Sequence, residues 1–362
     1  MKKSMLIGVS AVLILIVVAL VFFFPSRESM EEKPTGSIVT WGWDRLGQVS
    51  EAPAGNGFVD VAIGDRHTLA LRSDGSIVSW GQDEGGQVRL SPVDNGYVAI
   101  SAGRDHSIAL KNDGTLVSWG WTIIDWGVDP DVHSPQKFRD DFREEVEGMT
   151  GGVDMFTELL ESFQQHGGWD SDNQVRGTPR DNDFVDVSAG YLHNIALRKN
   201  GTIVAWGNNT FNQVSDTPQD EGFVAISAGR HHNLALREDG TVVAWGRDLM
   251  GSVDNTPEER GFVAISAGAR HSMALREDGT IAAWGWDLQN EVSNTPTESG
   301  FVHISAGYTH SLAVRDDGQI VSWGWEMSKR GQIEETPTDD GYLMAIAGSY
   351  HNVALKKDKG TP

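Results

Sequence analysis

Three observations predict an all-β fold, a seven-bladed β-propeller closed by its own two ends. A Trp-Gly pair begins at Trp41, Trp80, Trp119, Trp206, Trp245, Trp284 and Trp323, with spacings of 39, 39, 87, 39, 39 and 39 residues. A histidine in the frame Ala-Gly-x-x-His recurs in step at His106, His193, His232, His271, His310 and His351, and His67 opens the series in an Ile-Gly-x-x-His of the same kind. The chain also begins in mid-unit at Gly36–Gly42 and ends in mid-unit after His351–Leu355, so the two ends joined make one whole unit. Such closure removes the open edges that a stack of sheets would expose.

Within a unit such as Gly222–Gly246, the runs Phe223–Ser227, Asn233–Arg237 and Thr241–Trp245 alternate or are rich in β-branched residues and are expected as strands. Asp239-Gly240 joins the last two as a two-residue hairpin with positive φ values; the same turn is written at Asp74-Gly75, Asp113-Gly114, Asn200-Gly201, Asp278-Gly279 and Asp317-Gly318. A short fourth run is expected after Trp-Gly, as in Gly47-Gln48-Val49 and Gly331-Gln332-Ile333.

The pattern Ala-Gly-x-x-His-x-x-Ala-Leu-x-x-Asp-Gly-x-x-x-x-Trp-Gly, followed by Gly-Gln-Val, resembles the regulator of chromosome condensation repeat family. The 39-residue period is similar to its short-repeat branch, which includes a propeller-type β-lactamase inhibitor. The resemblance covers residues 36–360 apart from one insertion and implies the propeller fold. It does not choose among the exchange factors, photoreceptors and inhibitors of the family.

Taken from the N-terminus, Met1-Lys2-Lys3 precedes twenty uncharged residues, Met5–Phe24, about the length of a helix that crosses a hydrocarbon core. The run ends Phe22-Phe23-Phe24-Pro25 without a small-residue cleavage site, which favours an uncleaved signal-anchor over a signal peptide. Residues 1–24 are thus read as a single-pass membrane anchor with a cytoplasmic N-terminus, 25–35 as a linker and 36–360 as a propeller outside the cytoplasm. The net charge of −22 disfavours nucleic acid, and the absence of cysteine excludes a disulfide framework.

The one long spacing places an insertion at 122–169, read as a helical hairpin with stripes Phe138, Phe142, Val146 and Phe156, Leu159, Leu160, Phe163. It also carries Asp125, Asp129, Asp131 and His133, with Asp170, Asp172 and Asn173 just beyond. Asp170-x-Asp172-Asn173 begins like a calcium loop but lacks its glycine and terminal glutamate. No catalytic spacing stands out, and neither a cofactor nor a metal is expected. The seven histidines occupy equivalent places around a ring, so they are expected to bond backbone within their own blades rather than converge on an ion. The Trp-Gly indoles are expected in core or inter-blade packing.

Individuality is confined to loops on one face: the two residues before each histidine, and the residue after each Trp-Gly. Trp43, Trp121, Trp286, Trp325, Tyr191, Arg230, Arg247, Arg270, Tyr308 and Tyr350 fall there and form an expected exposed ring with the composition of a protein-binding hot spot. The sequence therefore predicts a membrane-anchored, extracytoplasmic propeller that binds a protein partner and is not an enzyme. Glycan binding is the second reading, and an enzyme site at the channel mouth or under the insertion the third.

Overall fold

The computed structural model describes residues 33–120, 173–325 and 330–358. The expected anchor helix 5–24 and helical insertion 122–169, with Trp121, lie outside the described residues, among which no helix is long and apolar enough to cross a membrane.

The described residues form twenty-one strands, arranged as five three-stranded sheets and one six-stranded sheet. In a representative unit the inner strand Phe223–Ala228 pairs antiparallel with the middle strand His232–Arg237, which pairs with the outer strand Val242–Gly246. The six-stranded sheet joins both ends of the chain. The first strand, Gly36–Gly42, pairs along its length with His351–Lys357, from Gly36 opposite Lys357 to Gly42 opposite His351. It meets the inner strand Phe58–Ile63 only where Gly36 faces Phe58.

The core lies between successive sheets, and the middle strand explains why. Its side chains are buried on both faces, so it reads as continuously apolar after its first two residues. Leu234 and Leu236 point toward the next unit, against Phe262, Ile265, Ala274 and Trp284. Ala235 points back to a layer that already holds Ile195, Leu197, Phe223 and Trp245. A large residue there would collide with the indole, so the His-x-Leu-Ala-Leu alternation of large and small is a packing rule.

Polar side chains then bolt each unit to the next. Trp245 Nε1 donates to the Gln213 carbonyl (3.0 Å), which also accepts Asn233 Nδ2 (2.9 Å). With the Asn233 amide nitrogen so committed, its Oδ1 is the acceptor for His193 Nε2–H at 2.7 Å, which fixes the imidazole tautomer. The same contact joins His67 to Ser107, His106 to Asn194, His232 to Ser272, His271 to Ser311 and His310 to Asn352. The series returns to its start where His351 meets Thr68 (2.7 Å), and Trp41 Nε1 reaches Gln332 across the chain ends. The histidines therefore bond side chains of the following unit and not backbone of their own. A short polar residue one place beyond the next histidine faces across the gap and takes the ring nitrogen.

Two other expectations are corrected. The Gly-Gln-Val run is no fourth strand but a single helical turn, with Glu51 N donating to Gly47 O (3.1 Å). Asp44 Oδ1 caps it through the N–H groups of Val49 and Ser50, and Gln48, wholly buried, accepts from Leu46 N. The Asp-Gly link is a three-residue turn, in which Gly240 N donates to Arg237 O and Arg237 N to Thr241 O, both at 2.9 Å. Only Gly240 takes positive φ (79°), because Asp239 accepts the N–H and hydroxyl of Thr241 and keeps the ordinary conformation.

Candidate functional site

The Ala-Gly that ends the inner strands of Phe223–Ala228 and its counterparts has a steric cause. A Cβ on Gly190 would lie 2.2 Å from Cε1 of His193 and 2.5 Å from the Gly229 carbonyl. The glycine lets the histidine ring fold beneath the loop, and the next residue is delivered to the centre of the molecule. There Asp65, Arg104, Tyr191, Arg230, Ala269, Tyr308 and Ser349, one from each unit, line a cavity of about 120 Å³. Main-chain bonds from loop to loop hold the rim, among them Arg104 N to Tyr191 O (3.1 Å) and Arg230 N to Gly268 O (3.1 Å).

The second loop residue and the residue after Trp-Gly are also tied together: Trp43 N to Tyr350 O, Arg247 N to His231 O, Trp286 N to Arg270 O and Trp325 N to Thr309 O, at 2.8–3.1 Å. Both variable sets therefore share one face, centred on the cavity.

On that face five of the expected residues form a continuous stack. The guanidinium of Arg230 sits 4.5 Å from the Tyr191 ring and 5.3 Å from that of Tyr308, and donates to the Tyr308 hydroxyl at 2.6 Å. Arg270 lies over Tyr308 (5.5 Å) and over Trp286 (4.9 Å). Arg104, on the other face of the series, covers Tyr191 at 5.1 Å and pairs with Asp105 at 3.0 Å. Arg247 stacks on Phe211 (4.4 Å), which His231 links edge-on to Tyr191. Trp43 and Tyr350 form a separate pair (5.2 Å) covered by Arg330. Trp325 is placed on the same face through Thr309, outside these stacks, and Trp121 lies outside the described residues.

The ring is not an exposed one, as the sequence suggested. Arg230 and Tyr350 are buried (8% and 9% exposed), and Trp43, Tyr191, Arg247, Arg270, Trp286, Tyr308 and Trp325 are half-buried. Arginines lying flat on the rings cover them, which residue types alone do not disclose. Burial also shapes the charges: it raises the Tyr191 hydroxyl and the Asp105 carboxyl above their ordinary values, and holds His231 well below, where Arg230 and Arg247 press the same way.

Phe211, Arg330, Arg104 and His231 were missed as members of the site. Phe211 and Arg330 both stand two residues before the Gln of the capped turn, a slot filled elsewhere by Leu46, Gly85, Met250 and Gln289. Its variability beside a position that is always polar (Gln48, Gln87, Gln213, Ser252, Glu291 and Gln332) is the signal that would have found them. Among the described residues no group of three or more acidic or histidine side chains could hold a metal.

The fold and this loop face define an all-β repeat protein of the propeller class. Six stretches, 58–87, 97–121, 184–213, 223–251, 262–290 and 301–332, match the Regulator of chromosome condensation (RCC1) repeat. The chain belongs to that repeat family. No curated protein matches it by sequence. Among solved structures it is similar to Prp20p from Saccharomyces cerevisiae (TM-score 0.62, 19% identity, covering 93% of this chain and 96% of that one). It is also similar to the CRINKLY WD40 ectodomain of the Arabidopsis thaliana receptor kinase ACR4 (TM-score 0.56, 20% identity, 83% and 93%) and to the ectodomain of the Physcomitrella patens receptor kinase CR4 (TM-score 0.58, 18% identity, 91% and 72%). At these identities the likeness concerns the fold.

Proposed function

We propose that the chain is a membrane-anchored propeller of seven blades, displayed outside the cytoplasm, that binds a protein partner through the loop face around its central cavity. The observation that carries the binding reading is the Arg104–Tyr191–Arg230–Tyr308–Arg270–Trp286 stack, which spends the variable positions of five units on one contiguous surface. Tyr, Trp and Arg are the residues that dominate protein interfaces, and prestacked side chains lose little entropy on binding. The blade count is supported by the seven Ala-Gly or Gly segments that share one cavity and by the histidine series that returns to Thr68. Yeast Prp20p has been described with its binding to Gsp1p and histones and in complex with Kap60, so a fold of this kind serves as a protein-binding surface there. The ACR4 ectodomain is one displayed outside a cell.

The anchor reading rests on the apolar run 5–24, and the place of Thr35 supports a direction for it. Thr35 and Gly36 lie beside Asp358 and Phe58, at the opposite end of the first strand from Gly42 and Trp43. The tether leaves one face while the aromatic stack occupies the other, so the binding face points away from the bilayer. Recovery of partners by residues 30–362 and by a variant with Trp43, Trp286 and Trp325 changed to alanine tests the surface; equal recovery rejects it. Protein that stays in the soluble fraction, or that resists protease added outside intact cells, rejects the anchor.

A further inference from the structure

Resting on the reading that the propeller stands outside the cytoplasm, we infer that Asn200 is the acceptor of an N-linked glycan, carried on the face opposite the aromatic stack. The chain holds two Asn-x-Ser/Thr sequences with no proline between, Asn200-Gly201-Thr202 and Asn208-Asn209-Thr210. A sequence of that kind serves as an acceptor when its asparagine is exposed on a surface turn or loop. The structure separates the two.

Asn200 lies in the turn between the middle strand His193–Arg198 and the outer strand Ile203–Gly207 of its unit, and it is exposed. Its Oδ1 accepts the Thr202 N–H at 3.1 Å and the Thr202 hydroxyl at 2.8 Å. Both bonds end on the oxygen, which leaves Nδ2, the atom that takes the sugar, open to water. The threonine hydroxyl that a transferase reads with it is already alongside. The other five turns of this kind carry aspartate, at Asp74, Asp113, Asp239, Asp278 and Asp317. Asp239 makes the same two bonds to Thr241, so the turn itself asks only for the oxygen and not for an amide. Asn208 is the contrary case. It is 4% exposed, its Nδ2 donates to the Thr210 hydroxyl at 3.1 Å, and its Oδ1 accepts Gln213 Nε2 at 2.8 Å. A transferase cannot approach that nitrogen without opening the capped turn around Gln213.

The reaction needs a saccharide carried on a lipid phosphate and a membrane-bound oligosaccharyltransferase outside the cytoplasm. Asn200 Nδ2 bonds to the anomeric carbon as the bond from that carbon to the phosphate oxygen breaks. The lipid phosphate leaves with the electron pair, and the amide proton passes to a base on the transferase. The glycan then sits at the far end of the strands from His193, on the side where Gly36 enters, so the loop face stays open to a partner.

The test uses the full chain, made by cell-free translation with vesicles of endoplasmic reticulum, and the same chain purified from its native membranes. In the vesicles it should gain one glycan, read as a single upward step on a gel that an N-glycosidase reverses. Asn200→Gln and Thr202→Ala should abolish the step, Thr202→Ser should keep it, and Asn208→Gln should leave it unchanged. Asp239→Asn writes the same sequence into the equivalent turn of the next unit and should add a second step. In the native protein, tandem mass spectrometry of the peptide that contains Asn200 should show a saccharide on that residue. A step gained only with Asp239→Asn, a step removed by Asn208→Gln, or an unmodified Asn200 in the native protein each overturns the inference alone. No step in either chain overturns it too, and the display outside the cytoplasm falls with it if protease added outside the vesicles reaches the propeller.

Discussion

Lowering the pH from 7 to 5 should open this fold, because its units are bolted by imidazoles that must stay neutral. Burial holds His67 and His271 at about 3, and His106, His193, His232 and His351 at about 4. In the unfolded chain each titrates near 6.5, so below that value the unfolded state takes up protons that the folded ring refuses. The stability is present above about 6.5 and is lost as the pH falls toward the folded values. At pH 5 each histidine costs about 2 kcal/mol, roughly 12 kcal/mol for the six. Buried carboxyls act in the opposite sense, Asp105 and Glu291 among them and two others by more. Burial raises Asp60 to about 6 and Asp186 to about 7, so the folded state holds protons that the unfolded state has released, and stability is gained as the pH falls through those values. Over the same interval they return roughly 3–4 kcal/mol. Buried His303, held at about 4, and His231 add to the histidine side and Asp105 and Glu291 to the other, so the histidines win by several kcal/mol, comparable with the ~5–15 kcal/mol that holds a domain together. Urea unfolding of residues 30–362, read by tryptophan fluorescence at pH 7, 6 and 5, should show a steep fall in midpoint and an uptake of roughly three to four protons near pH 5. His193→Gln should reduce that uptake by about one. A midpoint that is flat or rises on acidification would refute the reasoning.

Other substitutions test separate parts of the frame. Gly190→Ala drives a Cβ to 2.2 Å from the His193 ring and should cost about 3 kcal/mol or more, seen as a large drop in melting temperature. Trp245→Phe removes the donor to Gln213 O and should cost about 1–3 kcal/mol in urea unfolding. Thr68→Val at the joined ends and Ser272→Ala within the ring delete equivalent bonds to His351 and His232, so each should lose about 1–3 kcal/mol. A seam variant that costs nothing would mean the ends contribute no stability. Arg237→Gln breaks a surface ion pair with Asp220 and should change stability by less than about 1 kcal/mol.

The repeats made the strands legible because each obeys a local rule: large and small residues alternate along His-x-Leu-Ala-Leu, and the Trp-Gly indole needs the space that the alanine leaves. What the sequence hid depends on partners in another unit. Nothing in Ala-Gly-x-x-His says that the imidazole looks forward to a serine or asparagine about 40 residues on, until the residue after each histidine is seen to be Thr, Ser or Asn throughout. The fourth run read as a strand because Gly-Gln-Val is short and β-branched, yet a capping Asp and a buried Gln make it a turn. The site's positions were legible, and its exposure was not, since guanidinium stacking depends on side-chain direction.

The same bolts explain where this chain can change. In the frame Ala-Gly-x-x-His-[Ser/Thr/Asn], the glycine answers to the histidine ring, the histidine to the next unit and the polar residue to the unit before. Substituting any one leaves a buried polar atom or a collision, and the cost falls on two units at once. The two residues between glycine and histidine are tied to the frame through their main chain, Arg230 N to Gly268 O in the first place and Arg247 N to His231 O in the second, which leaves the type of side chain open. Tyr191, Arg230, Arg270 and Tyr308 nevertheless stack across four units, so the loop positions that the frame leaves open are tied to one another by their side chains.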